Sequence, residues 1–79
     1  MSKDRKFEFM WKWLMTFGTN KASIEKRREW YDKEGFDDIG TDSTSVFMFF
    51  DRDAGDGYGN RWISQRGLDY IKNNGGKNG

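Results

Sequence analysis

From Phe7 to Phe17 every odd position is apolar: Phe7, Phe9, Trp11, Trp13, Met15 and Phe17. Scored residue by residue, a two-residue period captures about 8 of a possible 12, against about 5 for the helical period. The spacing predicts a strand with its rings on one face. The same stretch also carries helical signals, with Glu8 four residues ahead of Lys12 and Gly18 placed to end a helix. A helix over residues 6–17 is the alternative.

Beyond the turn residues Gly18, Thr19 and Asn20, Ser23 reads as an N-cap, Glu25 lies in the first turn and Gly35 follows the last turn. These predict a helix over residues 23–34. Its apolar stripe is short, comprising Ile24, Trp30 and Tyr31, with the stems of Arg27 or Arg28 able to lengthen it. Such a helix is expected on the surface of a sheet. Phe36 and Ile39 suggest a short strand, and the continuous run Val46–Phe50 suggests one buried on both faces. The glycine- and aspartate-rich residues 51–60 predict a hairpin loop, Arg61 to Ile63 the returning strand, and Ser64 the cap of a last helix reaching about Lys72. Gly67 weakens that helix by roughly 1 kcal/mol relative to alanine.

The predicted fold is α+β, a small single domain with a three- or four-stranded, mainly antiparallel sheet and two helices. The element order is β-α-β-β-α, or α-α-β-β-α if residues 6–17 are helical. Residues 1–72 form the compact domain and residues 73–79 an Asn/Gly-rich flexible tail.

Composition narrows the chemistry. A chain of 79 residues buries only about 60% of the surface its unfolded form exposes. Aromatic residues are 18% of the chain and all apolar residues 34%, so a few large rings must supply most of the buried area. With no cysteine and no histidine, disulfides and the usual zinc ligand sets are excluded, and no cofactor is expected. Nucleophilic catalysis loses its commonest bases. Asp37 and Asp38, as neighbours on a strand, point to opposite faces, so no acid/base pair forms and a non-enzymatic protein is expected.

The loop aspartates do not form an EF-hand. Starting at Asp51 puts Asp56 at the obligatory glycine position and Trp62 at the bidentate glutamate; starting at Asp53 puts Tyr58 and Ser64 there. Only a weak cation site remains open, against a loop in which aspartate and glycine serve turn geometry.

Charge is distributed in blocks: +4 over residues 1–33, −6 over 34–60 and +3 over 61–79. The near-neutral total argues against a duplex-DNA binder, which relies on a basic excess. No apolar run approaches the roughly 20 residues that span a bilayer. Glu8 and Lys12 also interrupt any signal-peptide core, so a cytoplasmic protein is expected.

The rings of residues 7–17 exceed what the helices of the predicted fold can cover. The leading expectation is therefore a protein-binding module, inhibitor- or adaptor-like, contacting a larger protein through exposed members of the set Trp11, Trp13, Trp30, Trp62 and Tyr58. Asp37, Asp38 and Asp53 of the acidic block would steer the encounter. A homodimer through the same surface is a further expectation. The alternative is single-stranded nucleic-acid binding, with rings stacked on bases and Arg27, Arg28, Arg61 and Arg66 on phosphates.

Overall fold

The computed structural model describes residues 5–40, 46–53 and 59–74. Helix α1 spans Arg5–Phe17, α2 Ile24–Glu34 and a single-turn α3 Asp37–Gly40. A 3-10 turn over Val46–Phe49 leads into strand β1, Phe50–Arg52, which pairs with β2, Arg61–Ile63, before helix α4, Gln65–Asn74. The class is mixed α+β and mostly helical, with a two-stranded antiparallel sheet. The element order is the α-α-β-β-α alternative with the single-turn α3 and the 3-10 turn inserted before the hairpin, so among the described residues four helices and two strands replace the expected two helices and three or four strands.

Residues 6–17 are helical, and the strand prediction is corrected. Alternation misled because Met10 and Leu14, at even positions, are apolar too. Phe9, Met10, Trp13, Leu14 and Phe17 are spaced i, i+1, i+4, i+5, i+8, which is one helical face, so the helix turns five large apolar side chains to one side. Phe9, Met10 and Trp13 are fully buried, with Leu14 and Phe17 packed against them. The helix also satisfies its own backbone, whereas a strand here would need a partner strand. Its end carries the predicted signals: Gly18 adopts φ 64° and its N–H donates to the carbonyl of Leu14 at 2.9 Å. Lys12 Nζ stands 3.9 Å from Glu8 and 3.3 Å from Glu34, joining α1 to α2.

Helix α2 forms where its caps predict. The Lys26 N–H donates to Ser23 Oγ at 3.3 Å, and Gly35 sits at φ 76°, a conformation that costs glycine little. Trp30 and Tyr31 are buried against α1 as part of one aromatic cluster. Trp13 and Trp30 meet edge to face at 5.7 Å, and Phe9 touches both. The expected sheet beneath α2 is thus replaced by a helix, since α1 supplies the rings.

Phe36 and Ile39 are core residues but belong to the α2–α3 turn and α3, not to a strand. The run from Val46 also departs from expectation. Its first four residues coil as the 3-10 turn, burying Val46, half-burying Phe47 and Phe49, and leaving Met48 56% exposed. Phe50 alone continues as strand and is buried.

β1 and β2 pair with Phe50 opposite Ile63, Asp51 opposite Trp62 and Arg52 opposite Arg61. Ala22 bridges the other edge of β2: its N–H donates to the Arg61 carbonyl at 2.9 Å, and the Arg61 N–H donates to the Ala22 carbonyl at 3.0 Å. That edge of β2 is thus covered by a single bridging residue that was not predicted as strand, and among the described residues the sheet has two strands.

Helix α4 begins at its predicted cap, Ser64, whose hydroxyl accepts from the Gly67 N–H at 3.4 Å and donates to the Phe49 carbonyl at 2.8 Å. It runs two residues past Lys72, so Asn73 and Asn74 are helical; the rest of the expected tail lies outside the described residues. Gly67 has a packing reason to be glycine. A Cβ there would stand 2.6 Å from the Phe49 carbonyl oxygen and 2.7 Å from Ile63 Cγ1. Gly67→Ala should therefore destabilise by roughly 1–2 kcal/mol, overpacking outweighing the gain in helix propensity. A lower midpoint of urea unfolding checks it; a higher midpoint would show that α4 moves aside freely.

Candidate functional site

Helix α1 has more apolar surface than the core absorbs. Each residue turns the helix by about 100°, so the arc that starts at Phe9 and Trp13 continues through Leu14 and Phe7 to Trp11 and then Met15. Phe7 and Leu14 are half-buried, Trp11 is 44% exposed and Met15 70% exposed. The Phe7 and Trp11 rings stack at 6.3 Å with planes 15° apart. Trp11 is thereby held in place at low entropic cost, as a contact residue needs to be. The outer stripe Phe7, Trp11, Met15 is spaced i, i+4, i+8 along one line of the helix.

The other expected contact tryptophans separate by burial. Trp13 and Trp30 are enclosed in the core and offer no surface to a partner. Among the described residues neither indole N–H meets a hydrogen-bond acceptor. The aromatic excess is correspondingly smaller than expected, because α1 takes its own rings into the core. Trp62, half-buried, lies on the outer face of the hairpin with Lys21 Nζ 5.0 Å from its ring. Tyr58 lies outside the described residues, as does Asp56.

The aspartates of the acidic block have separate structural partners. Asp38 receives Arg5 Nη2 at 3.0 Å, and the same nitrogen donates to the Gly35 carbonyl at 3.2 Å, tying the start of α1 to the end of α2. Asp37 is exposed in the first turn of α3. Asp53 closes the hairpin: its carboxylate accepts from the Asn60 N–H at 2.7 Å and the Asn60 side-chain amide at 2.9 Å, with Lys21 at 3.8 Å. The Asn60 hydrogen bonds hold its carboxyl below the usual range, with Lys21 adding to the effect. Turn closure is thus the visible role of Asp53, and no metal-binding group of acidic residues occurs among the described residues.

Of the four arginines proposed for phosphate contact, Arg28 and Arg66 are exposed on α2 and α4. Arg27 is not a surface residue. It is 4% exposed, and its Nη1 donates to the carbonyls of Ala22 and Gly59, both at 2.8 Å. The sequence contained the clue in its spacing: Ile24, Arg27 and Tyr31 fall on one helical line, which puts the arginine on the inward face.

Arg61 shares the inward face of β2 with Ile63, because successive strand residues alternate. Its guanidinium lies 4.1 Å from the centre of the Phe47 ring. Burial lowers its pKa, and the positive charges of Arg27 and Arg52 lower it further, while Tyr31 opposes them. Burial pushes the Tyr31 phenol upward, and Arg27 and Arg61 pull against that rise. Among the described residues no helix is long and apolar enough to cross a membrane. No protein-family model, curated protein or solved structure matches the chain.

Proposed function

We propose that the chain is a small non-enzymatic protein-binding module, inhibitor- or adaptor-like, that engages a larger protein through the outer flank of α1. The observation that carries this reading is the stripe of Phe7, Trp11 and Met15, in which a tryptophan 44% exposed and a methionine 70% exposed extend the core's apolar arc into solvent. Tryptophan is enriched among the few residues that dominate binding energy, and methionine adapts its shape to a partner. Glu8, Lys12 and the Arg5–Asp38 pair supply charges of both signs on or beside the same helix, suited to a polar rim that selects orientation. Asp37 remains in this reading as a steering charge near that end of the helix.

The nucleic-acid reading gains no such support. It relies on rings displayed across an open sheet face, and the hairpin's outer face offers Trp62 alone among the described residues.

The test compares the native chain with a Trp11→Ser/Met15→Ser variant as baits in extract of the source cell. Both residues lie outside the core, so the variant should melt within a few degrees of the native chain. A partner held by the native chain should be lost by roughly thirtyfold or more, the effect of removing one aromatic anchor of about 2 kcal/mol. Equal retention by both baits would sink the reading. Sedimentation of the native chain alone separates self-association from it: a dimer that the variant abolishes would make a second copy the occupant.

A further inference from the structure

We propose that Arg52 and Arg61, opposed across the hairpin at the rim of the core and backed by Arg27, form a binding site for a small dianionic oxyanion, inorganic phosphate or a phosphate monoester. The site uses different residues from the α1 stripe and does not depend on it.

The argument starts from the register. Arg52 and Arg61 face each other directly on the antiparallel pair, and like charges in that position are destabilising. Both lie on the face that carries Phe50 and Ile63, so they point toward the edge of the core, where Arg27 donates to the same Ala22 carbonyl that accepts from the Arg61 N–H. Asp51 and Asp53 alternate to the opposite face of the β1 line, and Asp53 is engaged by Asn60 and Lys21. Among the described residues, the carboxylate ion pairs involve Arg5, Lys12 and Lys21, and neither Arg52 nor Arg61 joins one.

The arrangement is also held ready. Phe47 lies against the Arg61 guanidinium, fixing the plane of its donors, and Arg27 is immobilised by two carbonyls. Arg52 is exposed and Arg61 half-buried, which leaves the site open on one side and backed by fixed positive charge on the other. Guanidinium forks match phosphate oxygens in pairs, a geometry that lysine does not supply. A bound dianion would turn the repulsion between the opposed arginines into attraction.

The experiment titrates the full chain with sodium phosphate, and separately with phenyl phosphate, at constant ionic strength set with sodium chloride, following backbone amide resonances by NMR. Saturable shifts centred on residues 52 and 61 are expected with phosphate or with the ester, and not with chloride. Tighter binding of phenyl phosphate identifies a monoester as the ligand class; tighter binding of phosphate identifies the free ion. Arg61→Gln should weaken binding about tenfold or more, the loss of a charge-assisted hydrogen bond. The exposed Arg52→Gln should do the same if Arg61→Gln fails to fold. Lys72→Gln, in the last turn of α4, should leave affinity unchanged. Absence of saturation, equal shifts with chloride, or unaltered affinity in Arg52→Gln would overturn the proposal.

Discussion

Truncating Trp13 to alanine should cost about 3–5 kcal/mol, the range for deleting a large buried aromatic side chain. Trp13 is fully buried and packs on Phe9, Phe17, Trp30 and Phe50, the last at 4.6 Å between ring centres. It thus joins α1 to α2 and to the hairpin at once. A domain of this size has a total stability of roughly 4–12 kcal/mol, so the loss takes from about a quarter to all of it, and the variant should unfold at a much lower urea concentration than the native chain. Trp13→Phe should cost far less. It leaves a smaller cavity and removes an indole N–H that is buried without an acceptor, and an unmade hydrogen bond of that kind opposes folding. Urea unfolding of both variants checks the pair of outcomes; equal losses would mean that the core collapses around neither, contrary to the packing described.

Replacing Arg27 by methionine should cost about 2–4 kcal/mol, because two hydrogen bonds from a charged donor are lost together. The volume is nearly conserved, so the loss reports hydrogen bonding more than packing. The Ala22 carbonyl keeps its bond from the Arg61 N–H, which limits the damage on that side. Hydrogen exchange locates the effect: protection should fall at the Ala22 and Arg61 amides before it falls at Phe50 and Ile63. Arg27→Lys should be intermediate, since an ammonium retains the charge but lacks the rigid fork. No loss of stability on Arg27→Met would place the arginine's contribution elsewhere.

The parts of the fold written in short-range signals were legible. Ser23 and Gly35 bound α2 and Ser64 caps α4, each through a bond to a neighbour a few residues away, and Arg61 to Ile63 form the returning strand of a short hairpin. The α1 segment was not legible in the same way, because eight apolar residues in eleven positions fit a strand face and a helix face alike. What decides between them is the absence of a partner strand and the presence of α2, both matters of tertiary structure. Arg27 was half legible. Helical spacing let the stem of Arg27 or Arg28 lengthen the inward stripe without choosing between them, and the partner Gly59 lies 32 residues along the chain, beyond any local pattern. Gly67 was legible only as a weakness, and its close approach to Phe49 and Ile63 appears once the hairpin is packed on α4. For the candidate surface, the sequence marked the tryptophans as a set, and burial divides them.

The 3-10 turn over Val46–Phe49 bears on the tendency of this chain to form fibrils. Val46 to Phe50 is an uncharged, proline-free, strongly apolar run, the kind of segment that stacks into cross-β fibrils when it lies extended. Coiled as a tight turn, its first four residues present no row of free strand hydrogen-bonding groups for another molecule to extend. The part that is extended, Phe50 to Arg52, ends in two charged residues, which discourage edge-to-edge addition. Unfolding, by contrast, releases the run, so core substitutions such as Trp13→Ala should promote fibril formation as well as loss of structure.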